Sequence, residues 1–230
     1  VVGDHMVRKH RDIVGPAVLT RLSHSHIRFG TFQRHAFHRR ADNIAVLTDH
    51  VIAYYYPHLA AEADRATALL AAVTARSAQL TAGWISAGFV HGVLNTDNMS
   101  LTGESFDYGP YRFLPQSDPN FTAAYFDHQG LYSFGRQPEA VFWNLQQLAG
   151  ALSLTTETDL LVASLNGFGP AYRLELVSAM LARLGVRPRG DEMDAALVQA
   201  AFAALAEGGE ALRWEPFFFD WFCGDGGRAL

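Results

Sequence analysis

The stretch from Gly88 to Asn120 limits the possible folds of this chain more than any other part of it. It reads GFVHGVLNTDNMSLTGESFDYGPYRFLPQSDPN and is dense in Gly, Asn, Asp and Pro, residues that stop helices and build turns. Loops wrapped around two short strands are expected here. On both sides the pattern is helical. In 42–56, Ile44, Leu47, Val51 and Tyr54 or Tyr55 fall on one face, Asp42 is placed to cap that helix, and Pro57 ends it. Asp64 to Ala82 contains no Gly or Pro, as a helix interior requires, and 58–87 reads as one long helix or two. Helical pattern resumes at Pro138 and recurs at 156–166, 170–184 and 191–207, with Gly185 where a C-cap glycine belongs. Upstream, 15–32 reads as a strand, a loop and the start of a helix. The aromatic run at 211–223 (Trp214, Phe217, Phe218, Phe219, Trp221, Phe222) is expected to need further chain to cover it.

Composition narrows the function classes. Of 230 residues, 49% are hydrophobic and 18% charged, enough to build a core or one large lobe. The net charge of −5 gives no basic footprint for nucleic acid. Cys223 is the only cysteine, so no intrachain disulfide can form, and it reads as an ordinary buried thiol. No apolar run reaches transmembrane length, and Val1 to His10 is too polar and mixed for a signal sequence; a cytoplasmic protein is expected.

Chemistry concentrates in the loop region. It runs His91-Gly92-Val93-Leu94-Asn95-Thr96-Asp97-Asn98 and then, after eight residues, Asp107-Tyr108-Gly109-Pro110. Mg²⁺ prefers oxygen ligands and usually takes one or two carboxylates plus phosphate oxygens and water. Asn98 and Asp107 meet that demand, and a turn at Thr102-Gly103-Glu104 would bring them to one end of a hairpin. Asp97 is placed to accept a hydroxyl proton. The plain alternative is conformational, because Asn and Asp side chains cap their own backbone in turns.

HGVLNTDNMS followed by FDYGPYRF resembles the central signature of the selenoprotein O family of kinase-fold proteins. Three further stretches resemble the same family in the same order: AVLTRLSHSHIRFGTFQ (17–33), DHQGLYSFGRQPEAVFWNLQQLAGAL (127–152) and WEPFFFDWF (214–222). The resemblance implies a protein-kinase-like α+β fold, represented here mostly by an α-helical C-lobe with short β-hairpins around the metal site. It implies transfer of AMP from ATP to Ser, Thr or Tyr hydroxyls of protein substrates, with Mg²⁺ or Mn²⁺. By the same resemblance Asp97 matches the catalytic base, Asn98 and Asp107 the metal ligands, and Arg21 and Arg28 two arginines on the nucleotide phosphates. Arg forks suit that task, because charge must be neutralised on the departing pyrophosphate.

The pattern departs from ordinary kinases, whose HRD acid lies several residues before its Asn; here Asp97 directly precedes Asn98. The family's Gly-rich loop, nucleotide Lys and paired Glu are not found upstream of Arg21, and Lys9 in VRKHR is in the wrong context. Residues 1–14 are therefore expected to be an irregular N-terminal remnant. Residues 15–230 are expected to form the kinase-like catalytic lobe, with most of the N-lobe missing and the C-terminus cut short. A catalytically inactive fragment or pseudokinase-type interaction module is the alternative function, and a phosphoryl-transferring kinase a third. The ten histidines show no HExxH or Cys/His cluster, so His24, His26, His35 and His38 are read as structural or surface residues. His91 is expected to orient the catalytic loop by hydrogen bonding, Asp127 to act as a loop cap, and Trp84, Phe89, Phe142 and Trp143 to face the core.

Overall fold

In the computed structural model, which describes residues 20 and 22–224, helices succeed one another except across 87–133. Helix α1 (Phe29–Phe37) and α2 (Ala41–Tyr55) lead into α3 (Arg65–Ser86). After the loop region come α4 (Gln137–Leu152), α5 (Thr158–Asn166), α6 (Phe168–Arg183), α7 (Glu192–Gly208) and the short α8 (Trp214–Asp220). The fold is thus mostly helical, with one small antiparallel sheet, β1 (Phe89–Val90) against β2 (Arg112–Phe113), in register Phe89 opposite Phe113 and Val90 opposite Arg112.

Local chemistry sets the helix ends. The Asp64 carboxylate accepts the Thr67 N–H at 3.1 Å and the Thr67 hydroxyl at 2.6 Å, and also the Thr156 hydroxyl, so it starts α3 and ties it to the turn before α5. Burial pushes the Asp64 carboxyl up, but these bonds outweigh it and hold it below its ordinary value. Gly185 closes α6 with φ +67, its N–H on the Ala182 carbonyl and the Val186 N–H on that of Leu181. Asp42 does not cap α2; Arg40 holds that position and Asp42 lies inside the first turn, where its charge faces the helix dipole.

α3 is the central pillar and packs on α6, α5, α4 and α2. Its buried Leu69, Leu70, Val73, Ser77, Ala78 and Thr81 recur at helical spacing. Leu69, Leu70, Val73 and Ala78 join Phe29, Phe32, Ile44, Met99, Leu101, Leu145 and Leu148 in one core cluster. A second cluster gathers Val90, Leu114, Phe134, Met180, Leu181 and Leu205 around Trp214, Phe217 and Phe218. Half of the C-terminal aromatic run is therefore covered by the described chain itself, while Phe219, Trp221 and Phe222 stay exposed. Trp84 and Phe89 face the core as expected and Phe142 packs against it, but Trp143 is 52% exposed, because α4 turns Val141, Asn144, Leu145 and Leu148 inward instead. Cys223 is also exposed rather than buried; it lies past α8 with φ +59. Among the described residues no helix is long and apolar enough to cross a membrane.

Candidate active site

The Asn- and Asp-rich segment folds back on itself as the turn residues require. Met99 bridges Ser105, the Ser100 N–H reaches the Glu104 carbonyl at 2.9 Å, and the Phe106 N–H reaches the Asn98 carbonyl at 3.0 Å. This ladder sets Asn98 beside Phe106 at the open end of the hairpin, with Asp107 next in line. Asp107 adopts φ +51, a left-handed conformation that Asp tolerates better than most residues and that often marks a functional position.

A third extended segment completes the platform. The Leu101 N–H bonds the Ile27 carbonyl at 3.2 Å and the Phe29 N–H bonds the Met99 carbonyl at 3.0 Å, so Arg28 runs antiparallel to Ser100. Phe29 points into the core; Arg28 points out, with its guanidinium 4.8 Å from the centre of the Phe106 ring. Arg28 and Asp107 both line a cavity of about 680 Å³ whose apolar walls include Phe106, Tyr108 and Tyr111. Asn98 and Asp97 do not line it. Asn98 is 5% exposed, is linked to it through the hairpin ladder, and donates its amide Nδ2 to the Val93 carbonyl at 2.8 Å. That bond fixes the side chain and leaves the amide oxygen as its remaining ligand atom. Asp97 belongs to the Thr96–Asn98 turn, which Asn95 caps by accepting the Asp97 N–H at 3.0 Å. Its carboxylate lies against the first turn of α1, so closely that a Cβ at Gly30 would stand 2.0 Å from Asp97 Oδ1. Arg21 lies outside the described residues.

The donor set fits a hard divalent cation. One amide oxygen and one carboxylate with no protein hydrogen bond among the described residues match the sparse protein ligation that Mg²⁺ accepts when phosphates and water complete its shell. No group of three His, Cys, Asp or Glu side chains that could cage a metal occurs among the described residues.

Buried polar groups hold this geometry, and several were invisible to sequence reasoning. His91, fully buried, sets Nε2 at 2.8 Å from Ser105 Oγ and 3.0 Å from the Phe106 carbonyl, while the Val93 N–H points at Nδ1 from 3.3 Å. The expected orienting role of His91 is what these bonds describe: the ring ties the His91–Asn98 segment to the strand before Asp107. From α4, Gln137 accepts the His91 N–H at 2.9 Å and donates to the Phe89 carbonyl at 2.8 Å, and Asn144 donates to the Leu94 carbonyl at 2.9 Å. Two polar residues on the inward face of an otherwise apolar helix were the available signal for this pair. Tyr56 donates to the Leu101 carbonyl at 2.6 Å, and burial pushes its phenol up to about 12. Glu104 collects Ser23 Oγ, the His24 N–H, His24 Nδ1 and Thr102 Oγ1, fastening the segment before Arg28 to the hairpin turn. Burial raises the Glu104 carboxyl, but these bonds outweigh it and hold it below its ordinary value. Asp127 caps a loop as expected, accepting the Leu131 and Tyr132 N–H groups at 2.8 Å.

Hairpin, arginine strand and capped turn thus form one platform, held from behind by buried amides. Sequence comparison then supplies the family. A family model described as protein adenylyltransferase SelO matches residues 2–221, and the chain belongs to that family. It is similar to the protein nucleotidyltransferase YdiU of Gloeobacter violaceus, 48% identical over 189 residues, which is 82% of this chain and 39% of that protein. The YdiU of Synechocystis is 46% identical over 182 residues (77% of this chain, 38% of that protein) and that of Myxococcus xanthus 41% over 191 (83% and 39%). The chain spans about two fifths of the length of these curated relatives.

Proposed function

We propose that residues 15–230 form a kinase-like catalytic lobe that transfers AMP from ATP to Ser, Thr or Tyr hydroxyls of protein substrates, in the cytoplasm. The observation that carries this reading is the hairpin register, which pairs buried Asn98 with Phe106 and puts Asp107 next in line, on the wall of a cleft that Arg28 also lines. In this reading Asp97 accepts the proton of the substrate hydroxyl, whose oxygen bonds to the α-phosphorus as the bond to the β-phosphate oxygen breaks and pyrophosphate leaves. Arg28, together with Arg21, bears the charge that develops on the departing pyrophosphate. Asn98 and Asp107 would hold Mg²⁺ or Mn²⁺, which when bound would supply positive charge against the phosphates. Phe106, Tyr108 and Tyr111 give the cleft its apolar walls.

The names of the relatives support nucleotidyl transfer rather than phosphoryl transfer. Incubation with ATP labelled at either the α- or the γ-phosphate separates the two: label from the α-phosphate alone should reach protein. Label from the γ-phosphate would make the chain a kinase and overturn the reading.

A further inference from the structure

A second polar cavity, of about 630 Å³, adjoins the first. Tyr111 lines the cleft and its neighbour Arg112 lines this second cavity, as alternation along an extended segment dictates. The charges around it are unevenly committed. Asp127 spends both carboxylate oxygens on the Leu131 and Tyr132 N–H groups. Arg136 is paired with Glu139 at 3.0 Å. Arg112 carries neither a side-chain hydrogen bond nor an ion pair among the described residues. His128 adds an imidazole to the lining. An uncommitted guanidinium in a polar hollow is a ready fork for a carboxylate. Tyr125 stands on the same lining, 71% exposed, with its ring 5.3 Å from that of Phe126, which is also exposed. Exposed aromatic ledges beside an arginine are characteristic of protein-binding surfaces.

We propose that this cavity docks the protein substrate and that Arg112 reads an acidic side chain flanking the hydroxyl to be modified. The inference rests on the nucleotidyl-transfer reading of the neighbouring cleft and names the substrate class that cleft would serve: hydroxyl-bearing segments with a nearby Asp or Glu. Because Tyr111 and Arg112 are consecutive, the recognised carboxylate would sit only a few residues along the peptide from the hydroxyl.

The test is fluorescence anisotropy on the full chain without ATP. The probes are a labelled Ser-containing peptide with three glutamates and its glutamine counterpart. The glutamate peptide should bind about tenfold more tightly, the value of one charge-assisted pair. Arg112→Ala should abolish the difference, and Arg112→Lys should keep part of it, since the charge stays but the fork is lost. Equal binding of the two peptides, or discrimination that survives Arg112→Ala, would overturn the proposal. So would pyrophosphate binding that is lost in Arg112→Ala without any preference between the peptides, which would make the cavity a free-anion site. Calorimetric titration of the unmutated chain with ATP and Mg²⁺ keeps the two readings apart. Peptide discrimination with no ATP binding in the unmutated chain would count against the cleft assignment alone, and ATP binding without peptide discrimination against the docking assignment alone.

Discussion

Replacing Gly30 with alanine should separate catalysis from stability in a single methyl group. The Cβ added there would meet Asp97 Oδ1 at 2.0 Å and Asp97 Cγ at 3.1 Å. Carbon and oxygen tolerate roughly 3.3 Å, so the carboxylate must retreat by about 1.3 Å or turn to another rotamer. Gly30 lies in the first turn of α1, where alanine is the better helix former, so helix propensity favours the variant by up to about 1 kcal/mol and offsets part of the clash. The melting temperature should therefore move little. A general base displaced by about 1 Å loses on the order of 10²-fold in rate, or about 2.7 kcal/mol of barrier, while the cleft lined by Arg28 and Asp107 is untouched. Transfer from α-labelled ATP should fall about a hundredfold, with ATP affinity within twofold of the unmutated chain. Gly83→Ala is the control: it lies in α3 with nothing within 4 Å of its Cβ, and should stabilise by up to about 1 kcal/mol at full activity. Undiminished transfer by Gly30→Ala would refute the assignment of Asp97 as the base.

Two further predictions concern the groups that hold the platform. Tyr56→Phe leaves the buried Leu101 carbonyl without its donor and should cost about 1–2 kcal/mol, seen as a fall of roughly 2–8 °C in thermal unfolding. The Tyr56 phenol is raised to about 12, so its contribution is intact below pH ~10 and lost as pH climbs from there through about 12; the stabilities of the two chains should converge over that window. Glu104→Gln should release the segment before Arg28 from the hairpin, raising protease sensitivity around Ser23 while the helices stay folded. Because the Glu104 carboxyl is held below its ordinary value, its contribution is present above pH ~4.3 and lost as pH falls through the lower folded value. The stability gap between the chains in urea should therefore close on the acid side of that point, and a gap that widened there would contradict the assigned bonds.

Much of this was legible because it is local. The long α3 and its Asp64 start, the Gly185 stop, and the turn that pairs Asn98 with Phe106 depend on residues a few positions apart. What the sequence concealed is long-range. Gly30 approaches Asp97 across 67 positions (97 − 30), and nothing in FGTF announces that a side chain there would strike a carboxylate. Gln137 and Asn144 look like ordinary helix residues until α4 is set against 89–94. Trp143 was misplaced because α4 offers two apolar stripes, and only packing against α1 and α3 chooses Val141, Asn144, Leu145 and Leu148 over it. Cys223 escaped burial because the chain turns left-handed there, with its N–H on the Leu184 carbonyl and its sulfur at the surface. Asp42 lies two residues past the N-cap, Arg40, and so misses the capping role expected of it. The fourfold likeness to one family was the strongest signal for chemistry, since an Asn- and Asp-rich turn alone is equally the signature of self-capping loops.

Calorimetric titration with ATP and Mg²⁺ or Mn²⁺, comparing the unmutated chain with Asp107→Asn, tests the central claim most directly. Asparagine accepts the left-handed backbone at φ +51, so this variant removes the charge and keeps the turn. The claim that the hairpin end is the metal–nucleotide site predicts metal-dependent ATP binding that Asp107→Asn weakens at least tenfold, while metal-free binding changes little. Equal metal-dependent binding by both chains would contradict it.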